Sequence, residues 1–179
     1  MNIPDNEIIS QMQSNPSVGM KLLMDAYQEK LYWHIRRLVV SHDDAQDLLQ
    51  EVFLKVYRSF ATFKGESSLF SWLYRIATNM TLSFLRNKGL ECSTLDVARD
   101  KASDGYFSFT DNEAVALQEA IHTLPPRQQM VFNMRYYDDL SFHDIAGICS
   151  ITESAAKTNY HLAKNKVIEQ LKVKLNQTL

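Results

Sequence analysis

The sequence has few cysteines and no long hydrophobic run. Its two cysteines, Cys92 and Cys149, lie far apart and form no CxxC pair, so no disulfide framework is indicated. No apolar run approaches the ~20 residues that a membrane helix needs. The polar, acidic residues 1–7 do not resemble a secretory signal. These absences favour a protein of the reducing cytoplasm with no direct membrane insertion.

Helix breakers are also scarce, because the 179 residues include only five glycines and four prolines. Hydrophobic residues make up 45% of the chain and charged residues 22%, which is typical of a soluble folded protein. Leu, Met, Gln, Lys and Ala are plentiful, which favours helices. The length is suited to one ordinary domain or two small ones.

Signatures of catalysis are missing as well. The chain has no GxSxG sequence and no P-loop, and its five histidines show neither HExxH nor Cys/His metal spacing. We therefore predict that the protein is not an enzyme and that it needs no metal and no cofactor.

The net charge of −2 hides three zones of different character. Residues 1–88 and 114–179 each carry a net charge of +1 and have apolar residues at helical spacing. Residues 89–113 carry −4, are rich in Ser and Asp, and show no period. We predict an all-α protein with two small helical domains, 1–88 and 114–179, joined by a flexible acidic linker, 89–113.

Three helices are expected in the first domain. The first runs from Pro16 to about Val40, and Ser41 is placed to cap the second. The second is expected to bury one face, formed by Ala45, Leu48, Leu49, Val52, Phe53 and Val56. After the loop 60–68, whose last residue Ser68 is placed to cap it, the third is expected to bury Leu69, Leu73, Ile76, Met80 and Phe84.

Residues 140–167 have the pattern of a helix–turn–helix. Ser141 is placed to cap the first helix, Thr152 is placed to cap the second, and Ala146 is small enough for a close crossing. The second helix is expected to expose Glu153, Ser154, Lys157, Thr158, His161 and Lys164. Such a helix can enter the major groove and place its lysines near phosphates. A plain helical hairpin with a solvated basic face would show the same pattern.

Two further surfaces are candidates for binding. The helix that follows Ser68 has an aromatic and basic face opposite its core stripe, formed by Trp72, Arg75, Asn79, Ser83 and Arg86. Such a face could stack unpaired bases beside the small polar loop 63–68, although a partly buried Trp72 with solvated arginines would give the same spacing.

The second of these surfaces is acidic. Asp43, Asp44, Asp47 and Glu51 share one helix. The repulsion between Asp47 and Glu51, four residues apart, costs a few tenths of a kcal/mol, which a basic partner would relieve. An ordinary solvated face is the alternative interpretation.

Two segments resemble a known family. Residues 44–86 resemble conserved region two of bacterial sigma factors of the extracytoplasmic function (ECF) group, and residues 124–167 resemble their region four. The two segments occur in the family's order and at its usual separation. The resemblance implies an alternative sigma factor that binds core RNA polymerase, directs it to specific promoters and assists DNA melting without catalysing a reaction itself.

The resemblance also implies roles for individual residues. Asp47, Gln50 and Glu51 would dock on the clamp helices of the largest polymerase subunit. The residues that would melt and bind the minus-ten element, with its non-template strand, are Lys64, Ser67, Ser68, Trp72, Arg75, Asn79 and Arg86. The exposed face of the second helix of the helix–turn–helix would read the minus-thirty-five duplex. The linker would thread through the polymerase, and an anti-sigma factor is an expected partner.

Three positions depart from the family pattern. Ser150 stands in the turn where the family often has glycine, which suggests a strained or differently shaped turn. Asn159 and Leu162 stand where arginines are common, so fewer phosphate contacts are expected. Leu162 could instead pack against a partner.

Two other classes of function remain open from the sequence. A stand-alone helix–turn–helix regulator would bind duplex DNA as a dimer without polymerase and would have no use for the acidic face. A helical enzyme or metal-binding adaptor would need a substrate or metal site, for which the sequence offers no candidate.

Overall fold

The computed structural model describes residues 3–39, 41–88 and 112–177, and their regular structure is entirely helical. The all-α prediction is therefore confirmed. The helices are α1 Asp5–Ser14, α2 Pro16–Arg36, α3 His42–Ser59, a 3₁₀ turn Phe60–Thr62, α4 Leu69–Asn87, α5 Asn112–His122, α6 Pro126–Tyr136, α7 Phe142–Cys149 and α8 Glu153–Gln177. Most of the predicted linker, residues 89–111, lies outside the described residues, and its last two residues already belong to α5.

Hydroxyl side chains cap helices at the positions that the sequence indicates. The Oγ atoms of Ser41, Ser68 and Ser141 accept hydrogen bonds from backbone N–H groups of the first turns of α3, α4 and α7, at 3.1 to 3.2 Å. Thr152 caps α8 in the same way, since its Oγ1 accepts from the N–H of Ala155 at 3.1 Å. Each cap satisfies a backbone donor that has no partner within the helix.

The first helix was not predicted. It packs on α2, burying Ile8 and Met12, and Tyr27 of α2 donates a hydrogen bond to Asp5 at 2.5 Å. Gly19 allows the close crossing, because a Cβ atom there would stand 2.3 Å from the backbone nitrogen of Met12. Ten mostly polar residues give a weak helical signal by themselves, so this helix depends on its contact with α2.

The buried face of α4 differs from the predicted one. Leu69 and Leu73 are buried as expected, but Ile76, Met80 and Phe84 are only half-buried. The fully buried positions include Tyr74, Ala77, Thr78 and Thr81. The reason is that α4 is covered on two sides, by α2 and α3 and also by α7 of the second half of the chain.

The buried apolar residues form two clusters. The larger one joins both halves of the chain, from Ile8 through the faces of α2, α3 and α4 to Met130, Met134, Ile145 and Ile148. The smaller one lies between α5, α6 and α8 and contains Ala120, Ile121, Leu124, Phe132, Ala163 and Val167. The predicted halves therefore pack on each other along the face of α4 that α7 covers.

The turn of the helix–turn–helix has the shape that its sequence suggests. Ser150 ends α7 in the left-handed conformation, with φ of 54° and ψ of 46°. This conformation is favourable for glycine and unfavourable for residues with a Cβ atom, so the turn is strained at the position where the family often has glycine. Ala146 is buried in α7, as expected from its predicted place at the crossing with α8.

A fully buried histidine lies where the two halves meet. The Nε2 atom of His34 shares a hydrogen bond with Thr78 Oγ1 at 2.9 Å, and its Nδ1 lies 3.9 Å from Asp138 Oδ2. Burial, aided by the nearby Arg37, lowers the pKa of His34 to about 3. Burial raises the pKa of Asp138, while Arg37 opposes that rise. His34 is therefore neutral at physiological pH.

This burial predicts a loss of stability in mild acid. Below pH 6.5 the histidine of the unfolded chain takes up a proton that folded His34, with its pKa near 3, does not. The free energy of unfolding should therefore fall by about 1.4 kcal/mol between pH 7.5 and pH 5.5 on account of this residue. Urea titrations of the wild type and of His34→Gln at both pH values measure it, and the variant should show a smaller fall. Equal falls in both proteins would contradict the prediction.

Candidate nucleic-acid interface

The acidic residues of α3 form an exposed surface. Asp47, Gln50 and Glu51 are all exposed, on the side of the helix away from the buried Leu48 and Val52. Asp44 is only partly exposed and forms an ion pair with Lys88 at the end of α4, so it belongs to the scaffold. Within the described ranges no ion pair involves Asp47 or Glu51, and their charges are available to a basic partner.

This surface continues into apolar side chains that the sequence analysis did not single out. Leu54 is 55% exposed and Tyr57 51% exposed, one and two turns after the acidic residues on the same helix. Exposed large apolar side chains rimmed by polar residues are typical of protein-binding surfaces. The sequence could have pointed to Leu54 and Tyr57, because both are large apolar residues that lie outside the predicted buried face of α3.

The loop that precedes α4 is held against the helix by aromatic packing and by one hydrogen bond. The ring of Phe63 packs on that of Trp72 at 5.2 Å between centroids, and Phe60 lies 6.0 Å from the same ring. Arg75 Nη2 donates to Ser67 Oγ at 3.4 Å. Trp72 is therefore partly buried, as the alternative interpretation of this face predicted, and it packs the loop beside the helix.

The rest of this face is open. Lys64, Ser68, Asn79 and Arg86 are exposed, and Arg86 makes a hydrogen bond to Ser83 at 3.3 Å. Gly65, at the tip of the loop, has φ of 73° and no heavy atom within 4 Å of a Cβ position, so the tip is unobstructed. All seven residues predicted for the minus-ten element therefore lie on the loop and α4. Ser67, Trp72 and Arg75 are half-buried, where the loop packs against the helix.

The third surface is the outer face of α8. It is formed by exposed side chains in the first half of the helix: Glu153, Ser154, Lys157, Thr158, His161 and Lys164. Glu153 and Lys157 form an ion pair at 2.7 Å, and this bond with Lys157 lowers the pKa of the Glu153 carboxyl. His161 Nε2 lies 3.1 Å from the side-chain nitrogen of Asn165.

The two family departures on α8 have different environments. Leu162 is 44% exposed and could contact a partner. Asn159 is half-buried and donates to the carbonyl of Ala155 at 2.8 Å. It lines a small cavity between the two halves, together with Asn79, Arg127 and Met130.

Within residues 3–39, 41–88 and 112–177, no group of three His, Cys, Asp or Glu residues is arranged to hold a metal ion. None of the described helices is long and apolar enough to cross a membrane.

Comparison with known proteins identifies both halves of the chain. Residues 23–91 match the model of sigma-70 region 2, and residues 114–167 match that of sigma-70 region 4. Together these matches cover about two thirds of the chain.

Curated relatives match nearly the whole chain. The ECF RNA polymerase sigma-E factor of Haemophilus influenzae is 28% identical over 92% of this chain and 94% of that protein. The protein of the same name from Escherichia coli K12 is 29% identical over 92% and 93%. The RNA polymerase sigma-H factor of Pseudomonas aeruginosa is 26% identical over 97% and 96%.

Solved structures show the same fold. The sigma factor RpoE of Bartonella quintana, in complex with the anti-sigma factor NepR, superposes with a TM-score of 0.67, at 25% identity, over 86% of this chain and 96% of that one. CnrH, in complex with the cytosolic domain of CnrY, gives a TM-score of 0.72 at 16% identity, over 94% and 97%. Two findings lead to one conclusion. Both family regions occur in the order and spacing that the sequence indicated, and the curated relatives are matched over more than nine tenths of their length. The chain belongs to the sigma-70 family, in its extracytoplasmic function group, and is an alternative sigma factor that binds core RNA polymerase and directs it to specific promoters.

Proposed function

We propose that three surfaces divide the work of initiation between them. The acidic surface of α3, Asp47 with Gln50 and Glu51, binds the clamp helices of the largest polymerase subunit. The loop 63–68 and α4 capture melted minus-ten DNA, and the outer face of α8 reads the minus-thirty-five duplex. The observation that carries this proposal is the exposure of most predicted residues of the three surfaces, on helices that bury other faces; only Ser67, Trp72 and Arg75 among them are half-buried.

Melting needs no catalytic group in this scheme. Opening the duplex costs a few kcal/mol per unstacked base, and capture of the extruded base offsets that cost. Trp72 and Phe63 form the apolar support, Asn79 supplies an amide that can hydrogen-bond to a base edge, and Lys64 and Arg86 are placed to meet phosphates. We infer that the protein is not an enzyme and that it acts beside polymerase in the cytoplasm.

At the minus-thirty-five element, α8 would enter the major groove with its N-terminal end first. Its early residues Glu153, Ser154 and Lys157 would meet base edges, because a recognition helix contacts bases mainly with its N-terminal part. Lys164, further along the helix, would meet phosphate. Glu153 and Lys157 form an exposed ion pair in the free protein, which would have to open for either side chain to reach a base.

We also propose an anti-sigma factor as a partner. The support is the Bartonella quintana relative, which was solved with the anti-sigma factor NepR. Such a partner would cover the polymerase-binding surface of α3 or the DNA-binding faces. Recovery of a bound protein from native cells that blocks transcription by this chain would support the proposal, and failure to recover any would weaken it.

The minus-ten assignment is tested by Asn79→Ala. Loss of one amide that reads a base edge costs about 1.4 kcal/mol, so the rate of open-complex formation should fall about tenfold. Run-off transcription with core polymerase and permanganate footprinting of the melted strand measure this effect.

The matched control for that variant is Asn87→Ala, an exposed asparagine at the end of the same helix. It should leave transcription within twofold of the wild type. Equal activity of the Asn79 and Asn87 variants, with wild-type binding to core polymerase, would remove Asn79 from the proposed site.

A further inference from the structure

A small cavity, which we name the interdomain cavity, lies where the two halves of the chain pack together. Its volume is about 90 Å³, and its wall is built from α4, α6, α7 and α8, with Ile151 from the turn between the last two. Protein interiors are closely packed and contain few voids larger than a water molecule. Liquid water takes up about 30 Å³ per molecule, so the cavity has room for about three waters or for one small organic molecule.

The wall of the interdomain cavity has an apolar part and a polar part. The apolar part is formed by the side chains of Leu82, Met130, Val131, Cys149 and Ile151. The polar part is formed by those of Thr78, Asn79, Arg127 and Asn159. Cavities that stay empty in proteins are apolar, whereas a site for a small molecule combines an apolar wall with a few polar groups that orient the ligand. The lining of the interdomain cavity is therefore typical of a ligand site.

The polar groups of this wall offer mainly hydrogen-bond donors. Thr78 Oγ1 already shares a hydrogen bond with His34 at 2.9 Å. The side-chain amide of Asn159 donates one N–H to the carbonyl of Ala155 at 2.8 Å, which leaves its second N–H for a ligand. Arg127 carries five N–H donors, and within residues 3–39, 41–88 and 112–177 its side chain has no ion pair or hydrogen bond. An acceptor is therefore the group that this wall can bind.

The electrostatics of the cavity favour a single negative charge. Arg127 is the one charged side chain among the described residues that line it. Burial raises the pKa of Cys149 to about 11, although the nearby Arg127 opposes the rise, so the thiol stays neutral and does not balance the arginine. A guanidinium binds both oxygens of a carboxylate in a bidentate geometry. A phosphate dianion would place a second, unbalanced charge beside the apolar wall.

The volume of the cavity limits the length of such a carboxylate. Benzene, a ligand with about six heavy atoms, occupies an apolar cavity of about 150 Å³ in another protein. By proportion, about 90 Å³ holds about four heavy atoms. Acetate and propionate have this size, and the exposure of Arg127 allows the carboxylate end to lie at the mouth. Longer chains exceed the apolar part of the wall.

We propose that the interdomain cavity is a binding site for a free short-chain monocarboxylate of the size of acetate or propionate. The carboxylate oxygens accept hydrogen bonds from the guanidinium of Arg127 and from the side-chain amides of Asn79 and Asn159. The hydrocarbon end lies against Met130 and Ile151. Because both halves of the chain form the wall, a bound carboxylate stabilises the folded protein by mass action. The site involves neither polymerase nor DNA, so it does not depend on the functions proposed for the three surfaces.

The test begins with sodium propionate and the isotope-labelled, full-length protein, followed by heteronuclear NMR at constant ionic strength. The side-chain amide signals of Asn79 and Asn159 should shift and saturate, with a dissociation constant of about 1 mM for so small a ligand. Propionamide has the same shape without the charge and should bind at least about tenfold more weakly. Hexanoate is too long for the cavity and should also bind at least about tenfold more weakly.

Two variants alter the polar and the apolar part of the site separately. Arg127→Gln removes the charge and should weaken propionate binding about tenfold. Arg58→Gln is the matched control, because Arg58 is an exposed arginine of α3 outside the cavity wall, and it should bind propionate as the wild type does. Cys149→Leu fills the apolar part and should abolish binding. Circular dichroism establishes that each variant is folded, and Arg127→Gln, at an exposed position, tests the site without the core substitution.

Thermal unfolding gives an independent readout. Propionate at ten times its dissociation constant should raise the unfolding midpoint of the wild type and of Arg58→Gln by about 4 °C. The midpoint of Cys149→Leu should not respond to propionate, because its cavity is filled. Propionamide at the same concentration should leave the midpoint of the wild type within about 1 °C of its starting value.

Contrary results would overturn the proposal at separate points. Amide shifts that do not saturate would show that the cavity holds water only. Equal affinities for propionate and propionamide, or wild-type affinity in Arg127→Gln, would show that no carboxylate is bound by the arginine. Tighter binding of N-acetyl-aspartate amide than of propionate would identify the ligand as an acidic side chain of a partner protein and not as a free carboxylate.

Discussion

Replacing both Asp47 and Glu51 with lysine is expected to weaken binding to core RNA polymerase by about 100-fold, because like charges opposed across an interface cost several kcal/mol. Both side chains are exposed on α3, so the folded structure should tolerate the change. The repulsion between positions 47 and 51 is unchanged in this variant, since two lysines four residues apart repel as two acids do. Fluorescence anisotropy of labelled protein titrated with core enzyme measures the loss.

The control for this variant has the same change in net charge at other sites. Glu7→Lys/Glu169→Lys alters two exposed acids on α1 and α8 and should bind polymerase within about threefold of the wild type. The affinity of the wild type should also fall with rising salt, while that of the α3 variant should depend on salt less. Equal affinities for the two double variants would show that α3 is not the docking surface.

Gly19→Ala is expected to lower the free energy of unfolding by about 2 kcal/mol. An added Cβ would lie 2.3 Å from Met12 N, 2.5 Å from Met12 Cα and 2.6 Å from the carbonyl carbon of Gln11. These are backbone atoms, so α1 itself must move, and overpacking of this kind costs about 1–3 kcal/mol or more. The gain of about 1 kcal/mol in helix propensity offsets part of the cost. Chemical denaturation followed by circular dichroism measures the change.

Gly147→Ala is the matched control, because it is the same substitution inside a helix. Gly147 is exposed on α7, and no heavy atom lies within 4 Å of its Cβ position. Alanine there should raise the free energy of unfolding by up to about 1 kcal/mol. Opposite signs at the two positions would establish the α1–α2 contact, whereas stabilisation at both would show that α1 does not pack closely on α2.

The sequence by itself determined the local structure and the main surfaces. Caps at Ser41, Ser68 and Ser141, and the core face of α3, follow from interactions within a few residues of one another. The outer faces of α3 and α8 were predictable for the same reason, since one helical period separates buried from exposed positions. The strained turn at Ser150 was visible as a residue with a Cβ atom in a place suited to glycine.

Only the tertiary structure decided which of these faces meet. The burial of Thr78 and Thr81 contradicts a core stripe read from hydrophobicity, because their hydroxyls are satisfied by His34 and by the carbonyl of Ala77. The docking of α1 over Gly19 depends on the shape of two helices together. The ion pair of Arg37 with Asp138 joins residues 101 positions apart, and no local spacing encodes such a pair. Periodicity and capping are short-range properties of the chain, whereas the packing of the two halves comes from shape and charge complementarity between distant segments.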